Sequence, residues 1–261
     1  MRIYSKTLIL LLLFLIVMTG CSSDKKLEAN KTVELTISAA ASLKEALEKI
    51  QVEFELDHPD VKLTYNFGSS GSLKQQITQG APVDLFFSAA EDKFNELVDE
   101  GFIAKEEGVT FLENELVLVV PSENTSEITR LEDLIHHNID HISIGIPETV
   151  PAGKYAKESL IYQNLWADLR SKIVPAKDVR QVLSYVETAN VAAGIVYHTD
   201  ALISNKVTII TTIDSSTHTP IHYPVGIINK TKNYEAAKEF YNYLQNDKAI
   251  GVFKEYGFIT K

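Results

Sequence analysis

The chain has 261 residues, one cysteine and a formal net charge of −10 at pH 7, and 45% of its residues are hydrophobic. This composition is typical of a globular protein, and the length is sufficient for one large domain or two lobes with separate cores. The negative charge and the lack of a basic cluster argue against a nucleic-acid partner.

The first 20 residues have the pattern of an export signal. Arg2 and Lys6 precede an apolar run from Thr7 to Met18, and small residues follow. This run is shorter than the about 20 apolar residues that a membrane-spanning helix needs. We therefore assign residues 1–20 to a signal peptide and expect it to be removed.

The only cysteine follows that signal directly. The sequence VMTGC resembles the lipobox of bacterial lipoproteins, although Met18 replaces the usual leucine. A single cysteine has no partner for an internal disulfide. We expect Cys21 to be lipidated and residues 21–32 to form a tether, which would anchor the protein to the outer face of the cell membrane.

Strand-like and helix-like patterns alternate from residue 33 onward, which predicts an α/β fold. Val33, Leu35 and Ile37 show the period of two that is typical of a strand, and apolar residues of the next segment share one helical face. The segment AGKYAKESLIYQNLW is predicted to form a single helix. The C-terminal region, which begins with YEAAKEFYNYLQ, is also predicted to be helical.

Two strong strands divide the body of the chain. We predict that residues 114–120 and 222–227 are hinge strands that cross between two lobes. One lobe would then contain 33–113 together with 228–261, and the other would contain 121–221.

Four strand-to-helix junctions carry small and polar residues. The first two have capping-box patterns, from Ser42 to Glu45 and from Ser72 to Gln75. The third has Asp178 as its cap, and the fourth is a turn of small residues at 151–153. Helix N-termini have unpaired N–H groups and the positive end of the helix dipole, so they bind anions without a cationic side chain. For any one junction by itself, plain helix capping is the favoured explanation.

Catalytic and metal motifs are not visible. The chain lacks a G-x-S-x-G elbow, an H-E-x-x-H pattern and a Walker loop. An exported hydrolase with Ser42 or Ser70 as nucleophile stays an alternative, and it requires a histidine within hydrogen-bond reach of that serine. A sensory ligand-binding domain is another alternative.

Six segments together resemble the molybdate-binding proteins of bacterial molybdate ABC importers. They are AAASLKEAL, FGSSGSLKQQITQGAPVDLFFSA, VPAGKYAKESL, PAKDVRQVLSYVE, GIVYHTDA and YPVGII. They occur in the family's order, and the resemblance covers nearly all of the chain after the tether. It implies a two-lobed periplasmic-binding-protein fold of type II, with the ligand in the cleft between two α/β lobes.

The resemblance also implies an oxyanion-binding site. Ser42 and Ser70 would each donate a hydroxyl and a backbone N–H group. Ala152 and Val179 would donate backbone N–H groups from the second lobe, and Tyr197 would donate its phenol hydroxyl. The family often has a small hydroxyl residue where this chain has Gly71.

The implied function is transport without catalysis and without a cofactor. The protein would bind molybdate, and also tungstate, and deliver it to an ABC permease. Molybdate is a fully deprotonated dianion at pH 7 that only accepts hydrogen bonds, so a site of donors alone suits it. Sulfate also only accepts, so a binding protein of the same fold for sulfate stays an alternative. We expect a monomer, and we expect the Arg180 side chain to point away from the ligand.

Overall fold

The computed structural model describes residues 32–123, 128–136 and 138–260. The predicted signal peptide, Cys21 and nearly all of the tether lie outside these residues. Within the described part of the chain, no helix combines the length and the apolar character needed to cross a bilayer.

The first of two sheets has six strands. Their bounds in chain order are β1 (Val33–Ala40), β2 (Val61–Gly68), β3 (Leu85–Phe87), β4 (Ile103–Glu113), β10 (His222–Ile228) and β11 (Ile259–Thr260). The order across the sheet is β11-β4-β10-β3-β1-β2. β1 is parallel to β2 and β3, whereas β10 is antiparallel to β3 and β4. The parallel strands end at a common edge, which places the loops after β1 and β2 next to each other.

The second sheet has five strands. They are β5 (Leu116–Pro121), β6 (Ile142–Gly145), β7 (Ile173–Ala176), β8 (Ala193–Tyr197) and β9 (Val207–Thr212). The order is β7-β6-β8-β5-β9, with β6 parallel to β7 and β8. All six residues of β5 and all five of β8 are buried, as expected for central strands covered on both faces.

Helices cover both sheets. In chain order they are α1 (Lys44–Asp57), α2 (Ser70–Thr78), α3 (Glu91–Asp99), α4 (Pro151–Tyr162), α5 (Trp166–Leu169), α6 (Val179–Glu187), α7 (His198–Leu202), α8 (Tyr234–Tyr243) and α9 (Asp247–Glu255). We call the six-stranded sheet with α1, α2, α3, α8 and α9 the first lobe. The five-stranded sheet with α4 to α7 is the second lobe. The α/β class predicted from the sequence is confirmed.

The helix predicted for the AGKYAKESLIYQNLW segment is shorter than expected. α4 ends at Tyr162, and Asn164 has a φ of 61°, so the chain turns before α5 begins at Trp166. Asparagine is one of the few non-glycine residues that tolerate this left-handed conformation. The prediction of one continuous helix was wrong because the apolar periodicity continues through the turn.

Both strands predicted as hinges pair within a single sheet. β5 pairs with β8 and β9, whereas β10 pairs with β3 and β4. The chain therefore passes from the first sheet to the second at Asn114 and Glu115, and it returns between β9 and β10. The hinge role of these segments stays a prediction.

Candidate functional site

The five residues implied by the resemblance line one small cavity. The first lobe contributes Ser42 after β1 and Ser70 at the start of α2. The second lobe contributes Ala152, Val179 and Tyr197 from the starts of α4 and α6 and the end of β8. The other lining residues are Ala40, Ala41, Gly68, Ser69, Ala89, Val150, Pro151 and Asp178. The fold thus brings together all five predicted residues, which are far apart in the chain.

Ser42 does not cap a helix as its capping-box pattern predicted. Residues 41–43 form a 3₁₀ turn, α1 begins only at Lys44, and its start has no side-chain cap. The Ser42 Oγ atom instead lies 2.9 Å from the Tyr223 Oη atom of β10. A tertiary partner therefore replaces the local one.

The hydrogen bonds around Tyr223 set the direction of this contact. The Asn114 side-chain N–H donates to Tyr223 Oη at 3.1 Å, and the Asn114 Oδ1 atom accepts from the Glu115 backbone N–H at 2.9 Å, which fixes the amide orientation. Because Tyr223 Oη already accepts from Asn114, its own hydrogen can be donated to Ser42 Oγ. In that arrangement the hydroxyl hydrogen of Ser42 is free to donate into the cavity.

The hydroxyl hydrogen of Ser70 can also donate into the cavity. Its Oγ atom accepts from the Ala89 backbone N–H at 2.9 Å, so its hydroxyl hydrogen is also available to the cavity. The cap of α2 is Ser69, whose side chain accepts from the Ser72 N–H at 3.4 Å. The predicted Ser72 cap was wrong because the helix begins three residues earlier than the pattern indicated.

Two helix starts supply the second lobe's backbone donors. Pro151 is the first residue of α4 and has no N–H, so the Ala152 N–H is the first donor of that helix. Asp178 caps α6 as predicted, and its side chain accepts from the Gln181 N–H at 2.9 Å. Because the cap satisfies the third N–H of the helix, it does not occupy the Val179 N–H.

Tyr197 is the most direct sign of a ligand. Its side chain is 1% exposed, and its hydroxyl has no hydrogen-bond partner among the described residues. Burial, together with the neighbouring Tyr223 and Tyr155, raises the pKa of the Tyr197 phenol well above its ordinary value. The group therefore stays protonated and presents a hydrogen-bond donor at the cavity. A buried unpaired hydroxyl is costly, which indicates a partner from outside the chain.

The cavity attracts anions through dipoles rather than through formal charge. None of the described residues that line it is Lys, Arg or His, and Asp178 is its one charged residue. The N-termini of α4 and α6 both contribute residues to the lining, and each carries a partial positive charge. This set of groups is suited to an oxyanion that accepts hydrogen bonds at every oxygen.

Gly71 contacts the opposite lobe rather than the cavity. Its N–H donates to the Thr149 carbonyl at 3.0 Å, and a Cβ atom at this position would lie 2.6 Å from that oxygen. A hydroxyl side chain at residue 71 is therefore incompatible with this close approach. The structure thus gives a physical reason for the departure from the family pattern.

Sequence reasoning missed Tyr223, Asn114 and Ala89. Tyr223 was read only as part of a strand, and Asn114 as the start of a hinge. Their roles depend on the antiparallel pairing of β10 with β3 and β4, which no local pattern shows. The Arg180 side chain does not line the cavity, as predicted.

Two lobes with a donor-lined cavity between their helix N-termini define a type II periplasmic binding protein. The chain matches the model of the family of bacterial extracellular solute-binding proteins over residues 35–259, and it belongs to that family.

Its relatives cover almost the full described length. A Bacillus subtilis protein named "Putative ABC transporter substrate-binding lipoprotein YvgL" is 53% identical over 259 residues, 99% of this chain and 98% of that protein. The molybdate-binding protein ModA of Escherichia coli is 36% identical over 232 residues, 87% of this chain and 90% of that protein. The periplasmic molybdate-binding protein of Azotobacter vinelandii shares the fold, with a TM-score of 0.78 and 24% identity, over 87% of this chain and 99% of that chain.

Membership in this family makes the chain an extracytoplasmic solute-binding transport protein and not an enzyme. The site geometry agrees, because the hydrogen-bond partner of the Ser42 hydroxyl is Tyr223 and that of Ser70 is the Ala89 N–H. The alternative of a hydrolase with a serine nucleophile was therefore wrong.

Proposed function

We propose that this protein is the substrate-binding component of an ABC importer that binds molybdate, and also tungstate, outside the cell membrane. The observation that carries the proposal is the polarity of the cavity. Ser70 accepts from the Ala89 N–H, Ser42 pairs with a tyrosine that already accepts from Asn114, and Tyr197 has no partner among the described residues, so all three hydroxyls can donate into the cavity.

Such a site favours ligands without a proton. Molybdate, tungstate and sulfate only accept hydrogen bonds at pH 7, whereas hydrogen phosphate carries one O–H donor that needs an acceptor. A donor left without an acceptor in a buried site costs about 1–3 kcal/mol. We therefore expect discrimination against hydrogen phosphate. Discrimination between molybdate and sulfate depends on cavity size instead, because both accept only.

A more spacious cavity among the described residues does not suit an anion. It lies where the chain crosses between the sheets, and its lining contains three carboxylates and two histidines: Glu113, Glu115, Asp214, His218 and His222. Carboxylates repel an oxyanion, so the smaller donor-lined cavity supports the proposal better. The molybdate-binding relative from Escherichia coli supports the choice of ligand.

A thermal-shift series on residues 22–261 tests this proposal, with molybdate, tungstate, sulfate, phosphate and buffer as the arms. A ligand at 100 times its dissociation constant should add about 2.7 kcal/mol to the free energy of unfolding. We expect large shifts with molybdate and tungstate and little shift with sulfate or phosphate. A shift with sulfate alone would replace the substrate but keep the donor-only site. No shift with any oxyanion would contradict the proposal.

We further propose that the protein is a monomer anchored by a lipid on Cys21 and that it delivers its ligand to a membrane permease. The name of the Bacillus subtilis relative supports the anchor. In cells that express the full chain, Cys21→Ser should move the protein from the membrane fraction to the soluble fraction. A Cys21→Ser protein that stays membrane-bound after its signal is cleaved would contradict the anchor.

A further inference from the structure

The candidate site is closed to solvent in this conformation. Ser70 and Ala152 are 0% exposed, and Tyr197 is 1% exposed. An oxyanion therefore reaches the cavity only when the loops of the two lobes separate. Every contact that joins these loops must break for entry and re-form around the bound ligand, so such contacts influence affinity without touching the ligand.

One such contact is made by Arg180, which follows the proposed donor Val179 on α6. Its Nε atom lies 3.3 Å from the Ala41 carbonyl, and its Nη2 atom is hydrogen-bonded to the Glu45 carboxylate. Both partners belong to the first lobe and flank Ser42. Arg180 therefore joins the Ser42 loop of one lobe directly to the α6 start of the other.

Arg180 is held on its own side by a buried carboxylate. Its Nε atom lies 3.1 Å from the Oδ1 atom of Asp200, which is fully buried in α7 of the second lobe. Burial raises the pKa of Asp200 to about 6, while the Arg180 charge opposes this shift, so the carboxylate is ionised at neutral pH. Asp200 belongs to the same lobe as Arg180, so this ion pair does not depend on the contact between the lobes.

A second contact repeats this arrangement on the other side of the cavity. Lys154 lies two residues after the proposed donor Ala152, and its Nζ atom is 3.0 Å from the Oδ2 atom of Asp92 on α3. Asp92 follows the lining residue Ala89 by three positions. Lys93 also approaches Asp92, at 3.6 Å, but it belongs to the same lobe and so adds no link between lobes.

We infer that Arg180–Glu45 and Lys154–Asp92 are positioning ion pairs that hold the two halves of the oxyanion site together and slow ligand release. Each pair starts within two residues of a backbone donor in the second lobe and ends three residues after a lining residue of the first. This inference rests on the proposed function, because the pairs act on whatever anion the cavity binds.

The charge of the two carboxylates and their role in joining the lobes predict opposite effects on affinity when the carboxylates are removed. Glu45 and Asp92 are negative charges near an anion site, so their neutralisation should tighten binding of a dianion if they had no other role. If they hold the lobes together, the same changes should weaken binding. The sign of the change in affinity therefore decides between the two.

The experiment compares Glu45→Gln, Asp92→Asn and the double variant with the unaltered protein. Glu48→Gln is the matched control, because it removes the same charge from the same helix and its pair with Lys44, at 3.9 Å, lies within one lobe. Calorimetry and stopped-flow measurements with molybdate should show a dissociation constant and an off-rate raised about threefold in each single variant and about tenfold in the double variant. The control should bind as tightly as the unaltered protein or slightly tighter.

Unchanged or tighter binding by the double variant would overturn the ion-pair inference and leave the proposed function intact. If the unaltered protein binds no oxyanion, the proposed function fails instead. Small-angle X-ray scattering of the ligand-free proteins then tests the ion pairs directly, since the double variant should have a larger radius of gyration than the control. Equal radii would overturn the inference.

Discussion

Replacement of Gly153 by alanine is expected to lower the free energy of unfolding by about 3 kcal/mol, the upper end of the cost of overpacking a core. A Cβ atom at Gly153 would lie 1.9 Å from the carbonyl oxygen of Gly145 and 2.4 Å from its carbonyl carbon. Both are backbone atoms of β6, so no side-chain rotation relieves the overlap. The start of α4 would have to move away from the sheet, and the Ala152 donor would move with it.

Gly251→Ala is the matched control for this prediction. Gly251 lies inside α9, and a Cβ atom there would meet no atom within 4 Å. Alanine is the better helix former, so this change should raise the free energy of unfolding by about 0.5–1 kcal/mol. Urea unfolding monitored by circular dichroism measures both variants. A Gly153→Ala protein as stable as the unaltered one would show that α4 does not pack against β6 as described.

Tyr197→Phe is expected to weaken molybdate binding by about 10- to 100-fold, the typical worth of a hydrogen bond to a charged group. The same change should leave the stability of the ligand-free protein unchanged or slightly higher, because it removes a buried hydroxyl that has no partner among the described residues. Loss of affinity without loss of stability distinguishes a ligand-binding group from a structural one. Calorimetric titration with molybdate and urea unfolding without it provide the two measurements.

Tyr243→Phe provides a control with the same chemistry outside the cavity. The Tyr243 hydroxyl is also buried without a hydrogen-bond partner in the described part of the chain, but it belongs to α8 and does not line the cavity. This variant should share the small effect on stability and bind molybdate normally. Equal affinities for Tyr197→Phe and the unaltered protein would remove Tyr197 from the proposed site.

Local patterns identified the right loops but assigned some wrong roles within them. Ser42 and Glu45 have the spacing of a capping box, yet Ser42 contacts Tyr223 and Glu45 contacts Arg180. Both true partners are more than 130 residues away in the chain. A capping hydrogen bond is worth about 1 kcal/mol, so stronger tertiary contacts readily replace it. In contrast, Asp178 caps α6 as predicted.

The sequence by itself determined the α/β class and most helices and strands, because apolar residues repeat with the period of the element they form. It also identified the small and hydroxyl residues at the strand-to-helix junctions, and the family resemblance selected Ser42, Ser70 and Ala152 from these junctions and added Val179 and Tyr197. Only the tertiary structure decided that these junctions from two lobes line one cavity. It also decided that Tyr223 and the Ala89 N–H are the hydrogen-bond partners of the two serine hydroxyls, and that Arg180 and Lys154 join the lobes beside the cavity. These roles depend on distances between residues far apart in the chain, and strand pairing and lobe contact set those distances.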